Sequence, residues 1–116
     1  MQTYHGSCHC GAVRYEVEAD LSKVMECNCS HCSRKGFILT FVPAEQFHLL
    51  SGEEKLTEYR FNKKVIAHLF CKTCGVQCFG RGTDEKGNAT VAVNVRTMEN
   101  VDTATLQPTL FDGKNW

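Results

Sequence analysis

Seven of the eight cysteines in this chain fall into three short clusters: Cys8-His9-Cys10, Cys27-Asn28-Cys29-Ser30-His31-Cys32 and Cys71-Lys72-Thr73-Cys74-Gly75. Such spacing aims two or three sulfurs at one point, which a metal ion requires and a hydrophobic core does not. The two pairs, Cys8 with Cys10 and Cys71 with Cys74, make four ligands, enough to close a tetrahedral zinc site. The triplet Cys27, Cys29 and Cys32 makes three and leaves one position open. Closed zinc sites hold structure; sites with an open position do chemistry. With 60 residues between Cys10 and Cys71, an ion on the four-cysteine set ties the N-terminal strand to a much later segment. Its binding energy is then folding energy, because the unfolded chain has no preformed site.

Other uses of the cysteines fit less well. Eight cysteines can form four disulfides, but the N-terminal Met1–Gly6 has no signal-peptide core, Cys8-x-Cys10 is too tight for an easy bridge, and the triplet is odd in number. The run Cys27-x-Cys29-x-x-Cys32 lacks the common ferredoxin spacings. No βαβ pattern surrounds Cys71-x-x-Cys74, as a thioredoxin-like redox motif requires. For the triplet two readings stay open: a three-thiolate site with a vacant position, or a second closed site completed by Cys78, His31 or His68. Cys78 has a third option, as a small buried hydrophobe.

Composition bounds the rest. A chain of 116 residues makes one domain, here 1–116. The 42% hydrophobic share includes the cysteines, so the remaining core is thin and leans on metal. Thirteen basic and thirteen acidic residues cancel and leave no basic stripe, which excludes nucleic acid as a partner. No stretch approaches the ~20 apolar residues of a membrane span. Together with the reduced cysteines, this places the expected site of action in the cytoplasm.

The pattern along the chain is that of strands. Val13, Tyr15 and Val17 alternate with Arg14, Glu16 and Glu18 across 12–19. Short strands are expected at 24–27, 37–42 and 48–50, with a helical turn at 30–35 capped by Ser30 and another opened by Pro43. Segments 55–61 and 65–70 read as a hairpin around Asn62-Lys63-Lys64, and 76–79 with 89–95 as a second hairpin across a loop at 80–88. From Arg96 onward periodicity is weak, and that segment is expected to wrap the body. The expectation is an all-β or nearly all-β fold of short twisted sheets meeting at metal sites.

An open three-thiolate zinc polarises a carbonyl oxygen or holds a substrate thiol as thiolate. A small thiol bearing carboxylates also needs basic partners, for which Arg34, Lys35, Arg60, Arg81 and Arg96 are candidates.

The stretches Gly6-Ser7-Cys8-His9-Cys10-Gly11-Ala12-Val13, Cys27-Asn28-Cys29-Ser30-His31-Cys32 and Phe70-Cys71-Lys72-Thr73-Cys74-Gly75-Val76-Gln77 resemble the glutathione-dependent formaldehyde-activating enzyme family. Tyr59-Arg60-Phe61-Asn62 and Cys74-Gly75-Val76-Gln77 look most like its centromere protein V branch. That branch has a long basic extension not found in these residues, so microtubule or chromatin binding is not expected. The resemblance runs from Gly6 to Gly113. It implies a mainly β, Mss4-like fold of several short coiled antiparallel sheets pinned by zinc. It also implies two Zn²⁺ per chain: a structural ion on Cys8, Cys10, Cys71 and Cys74, and a catalytic ion on Cys27, Cys29 and Cys32. The implied activity is a carbon–sulfur lyase joining glutathione and formaldehyde into S-(hydroxymethyl)glutathione. The alternatives are a non-catalytic zinc domain that binds a thiol or protein partner, and a zinc store or sensor.

Overall fold

The computed structural model describes residues 1–60 and 66–112. The expected turn Asn62-Lys63-Lys64, with Phe61 and Val65 beside it, lies outside the described residues, as do Gly113 to Trp116.

Two sheets carry the fold. The first contains β1 (Gln2–Ser7), β2 (Arg14–Ala19) and β5 (Phe47–Ser51), all antiparallel, in the order β1-β2-β5. The second contains β3 (Met25–Cys27), β4 (Leu39–Pro43), β6 (Leu56–Tyr59), β7 (Ala67–Cys71), β8 (Gln77–Thr83), β9 (Ala89–Asn94) and β10 (Thr109–Phe111). Its order is β10-β3-β4-β9-β8-β7-β6. Every pairing in it is antiparallel except β10 on β3. The one α-helix of the described residues, α1 (Ser30–Lys35), follows β3 directly.

The alternation expected at 12–19 is what β2 uses: Tyr15, Val17 and Ala19 face the core and Arg14 and Glu18 face solvent. Tyr15 stacks on Phe47 of β5 at 5.3 Å, and Phe47 meets Phe79 of β8 at 4.6 Å, so one aromatic run joins the sheets. The Tyr15 hydroxyl ends in a 2.8 Å hydrogen bond with the Thr97 hydroxyl, which donates to Asn94 O. Val13, Val91, Val93 and Val95, all nearly inaccessible, fill the rest. Each contributes roughly 1.5–3 kcal/mol by leaving water.

The structure departs from the sequence reading in three places. Residues 2–7 form β1, paired with β2 at six positions, although they carry little apolar pattern. The strand exists because its partner is already buried on the core side. β8 continues through Gly80 and Gly82 to Thr83, shortening the expected 80–88 loop to a turn held by the Asp84 carboxylate, which accepts from Lys86 N and Asn88 N. Gly80 is strand through its pairing with His68 and Ala92, and a β-carbon there would lie 3.1 Å from Ala67 O, which favours glycine. The cap of α1 is Cys29 rather than Ser30: its sulfur accepts from Cys32 N at 3.3 Å. The C-terminal segment does wrap the body, bridging Gly6 through Met98 before adding β10 to β3 in parallel.

Gly52 locks β5 against the first cysteine loop. Its φ is +90°, and a β-carbon there would lie 2.3 Å from Ala12 O and 2.7 Å from Val13 Cα. Backbone cannot swing aside as a side chain can. Gly52→Ala is therefore expected to cost on the order of 3 kcal/mol, combining left-handed strain with overpacking. Denaturant unfolding of the zinc-loaded protein measures it; a loss below about 1 kcal/mol would mean that this loop is compliant.

Candidate metal centres

The four-cysteine cluster is built from two loops of similar design. In the first, Cys8 N donates to Val13 O and Gly11 N to Cys8 O; in the second, Cys71 N donates to Val76 O and Gly75 N to Cys71 O. Each loop closes on a glycine with positive φ, +81° at Gly11 and +82° at Gly75, a conformation that glycine adopts without strain. β1 delivers the first loop and β7 the second.

The four sulfurs lie within 4.8 Å of one another. Cys8 Sγ is 3.6 Å from Cys10 Sγ, which is 3.7 Å from Cys71 Sγ. Four sulfurs placed tetrahedrally around zinc at about 2.3 Å sit about 3.8 Å apart, so the donor set fits the ion. The same distances are far beyond a sulfur–sulfur bond of about 2.05 Å. No disulfide joins any of the eight cysteines in this structure.

Local electrostatics prepare this set for a cation. Burial opposes ionisation of Cys74, but backbone donors at Cys10 and Val76 and neighbouring thiols outweigh it, and its thiol falls to about 6. At Cys10 a backbone donor at Ala12 favours the thiolate, yet the Cys8 thiol, burial, and Cys71 and Cys74 together push it up to about 11. Crowded thiols share one charge in this way until a cation compensates the rest.

The triplet sits where β3 runs into α1. Cys27 ends the strand, Cys29 caps the helix and Cys32 lies in its first turn. Their sulfurs also lie within 4.8 Å of one another, and all three residues are half-buried. Cys29 N donates to Cys27 Sγ at 3.5 Å and Cys32 N to Cys29 Sγ at 3.3 Å. At Cys29 burial works against ionisation, but the Cys32 backbone donor and its neighbours win and its thiol shifts down. Burial pushes the Cys27 and Cys32 thiols up.

Among the described residues no fourth ligand joins this set. Cys78 is 1% exposed and packs in the core. Its thiol is pushed up to about 12, first by burial and then by Cys8, and it bonds Thr97. Its sulfur neighbours thus belong to the four-cysteine side, and the small-hydrophobe reading holds. His31 turns its ring onto His68 at 4.2 Å and Tyr59 at 5.7 Å, docking α1 on β6 and β7. Among the described residues, neither His31, His68 nor Cys78 groups with the triplet, whose set is three sulfurs.

A cleft of about 300 Å³ opens beside the triplet, lined by Cys27, Cys32, Phe37, Arg96, Glu26 and Leu110 among others. β10 supplies its outer wall and is fastened to the triplet loop, where Asn28 N donates to Phe111 O and Asn28 Nδ2 to the Asp112 carboxylate at 3.0 Å. Of the five basic candidates only Arg96 lines this cleft. Arg34 donates to Ser30 O, Lys35 lies over Phe70 at 5.3 Å, Arg60 pairs with Glu58 at 2.9 Å, and Arg81 lies over Phe79 at 5.1 Å. Glu26 directly precedes Cys27, whereas Arg96 carries no local spacing signal that ties it to the cysteines. Only the pairing of β3 with β4, and of β4 with β9, brings them together.

A mainly β protein with one four-sulfur and one three-sulfur cluster, each able to hold a metal, is a recognisable class. The family profile described as glutathione-dependent formaldehyde-activating enzyme matches residues 3–112, and the chain belongs to that family. The crystal structure of a Rhodobacter sphaeroides protein is similar, with 32% identity over 91% of this chain and 97% of that one, and a TM-score of 0.81. No helix among the described residues is long and apolar enough to cross a membrane.

The two clusters should respond differently to removal of one sulfur. Cys8 and Cys71 are 3% and 0% exposed, within the core. Cys8→Ser or Cys71→Ser is expected to lose on the order of 5 kcal/mol, enough to unfold a chain of this size. Cys29→Ser keeps a good helix cap and should cost about 1 kcal/mol or less. Thermal melts with zinc content per chain test this; identical melting of both classes would rule out the division.

Burial, the nearby His31 and Lys35 depress the His68 imidazole to about 4. The folded state thus resists a proton that the unfolded state accepts near 6.5, and stability is lost as pH falls from about 6.5 towards 4. His68→Gln should flatten that slope by on the order of 2 kcal/mol across the window relative to wild type. Urea unfolding at several pH values, with wild type and variant compared at each, reads the difference.

Proposed function

We propose that this protein is a zinc-dependent carbon–sulfur lyase of the glutathione-dependent formaldehyde-activating type, interconverting a thiol and an aldehyde with their S-hydroxymethyl adduct. The observation that carries this reading is the half-buried triplet with three protein sulfurs beside a charged cleft. Cys8, Cys10, Cys71 and Cys74 hold a structural zinc in this reading, and Cys27, Cys29 and Cys32 hold a second. A zinc on three thiolates supplies Lewis acidity and an open position when bound.

The chain's own residues then do the positioning. Cys27 and Cys32 border the cleft, so a ligand there lies against the thiolate set. Phe37 and Leu110 form apolar wall, and Phe37 is buried, so the cleft favours a compact organic ligand over bulk water. Holding thiol and aldehyde together replaces a bimolecular encounter with a local one. In the forward direction the substrate sulfur bonds to the aldehyde carbon, the carbonyl π pair moves to oxygen, and the thiol proton ends on that oxygen. In reverse the carbon–sulfur bond breaks and the proton returns to sulfur. No electrons are exchanged with a third party.

Formaldehyde and glutathione also combine spontaneously, so the test is acceleration. Zinc-loaded protein should increase the rate of adduct formation, followed by exchange NMR of the hydroxymethyl signal, and Cys32→Ser should reduce that increase at least tenfold. A wild-type rate equal to background sinks the lyase reading. Thiol binding without turnover would instead identify a non-catalytic thiol-binding domain.

A further inference from the structure

We infer that Arg96 and Glu26 are the residues that read the charge of the thiol substrate, Arg96 binding a carboxylate and Glu26 an ammonium group. This rests on the lyase reading for its substrate and on the cleft for its geometry. Its new content is which side chains meet the charges that a glutathione-type thiol carries.

Arg96 is held in place from its backbone outward. It sits in the 3-10 turn Val95–Thr97, whose first residue is fully buried and donates its N–H to Ile38 O at 2.8 Å. Arg96 N donates to Asn94 Oδ1 at 3.1 Å, and Nε donates to Gly36 O at 2.9 Å, at the C-terminal end of α1. A guanidinium has five N–H donors in a rigid plane. The Gly36 bond uses one and fixes the orientation of the plane. Among the described residues no carboxylate pairs with it within 4.0 Å. What remains is an exposed fork at the edge of the cleft, with the geometry that recognises a carboxylate by two parallel bonds. The other basic candidates are committed to backbone, ring or carboxylate contacts and do not line this space.

Glu26 lines the same cleft from β3, immediately before Cys27. One cation and one anion within about 300 Å³ complement a ligand that carries both signs. They disfavour a thiol bearing two carboxylates and no ammonium, which sets one charge against Glu26. With Cys27 and Cys32 on the same walls, a thiol gripped by both charges keeps its sulfur near the triplet.

Titration calorimetry on zinc-loaded protein tests this with glutathione, its diethyl ester and its N-acetyl derivative as probes. Wild type should prefer glutathione over the diester by about tenfold, as expected for a partly exposed charge-assisted pair. Arg96→Gln should abolish that preference at unchanged zinc content and melting temperature, and Arg96→Lys should retain part of it. Glu26→Gln should abolish the preference for glutathione over the N-acetyl form. Equal preference in wild type and Arg96→Gln overturns the assignment of Arg96. Reduced zinc content or melting temperature with the preference intact does the same, leaving Arg96 as a cap on α1. Should Arg96→Gln fail to fold, wild type and Arg96→Lys across the ester pair decide it. Selective binding without turnover overturns the lyase reading and leaves the charge assignment standing; turnover indifferent to esterification does the reverse. No thiol binding by wild type overturns both.

Discussion

Cys8 and Cys10 lie in the loop after β1, Cys71 ends β7 and Cys74 lies in the loop that follows, so four sulfurs from two segments far apart in the chain converge within 4.8 Å. Left as thiols, they crowd one another's charge; around a cation they become a crosslink between the two sheets. Bringing the loops together also brings Tyr15, Phe47 and Phe79 into one aromatic run.

The triplet offers the same kind of donor on a different scaffold. Two facing loops supply sulfurs from two directions and can enclose an ion. A strand end and one helical turn supply three from one side. The groups best placed to close the second set have other commitments: Cys78 to the core and Thr97, His31 to the rings of His68 and Tyr59. The cleft beside this set carries one cation, Arg96, and one anion, Glu26, on its lining.

Much of this was legible in the linear chain. Cysteine spacing marked both ligand sets, because ligands on one short loop are close in space whatever the fold does. The alternation at 14–19 marked β2 for a similar reason: period-two burial is a local property. β1 was harder to see, since its residues are mostly exposed and its existence depends on a partner. Gly80 and Gly82 suggested a loop, but backbone pairing with β9 and a close approach to Ala67 make them strand. The sulfur of Cys29 taking the cap position from Ser30 follows from where β3 delivers the chain.

By itself, then, the sequence determined that the protein is cysteine-rich, mainly β and built around two sets of metal-competent thiols. It also determined the family, since the pattern of those thiols is specific. Tertiary structure alone decided that Cys78 is a core residue rather than a ligand, and that Arg96, of five basic candidates, stands beside the triplet. The physical reason is range. Ligand spacing and strand alternation act over a few residues, whereas Arg96 and Leu110 reach the triplet from segments far along the chain, brought together only when the sheets pair.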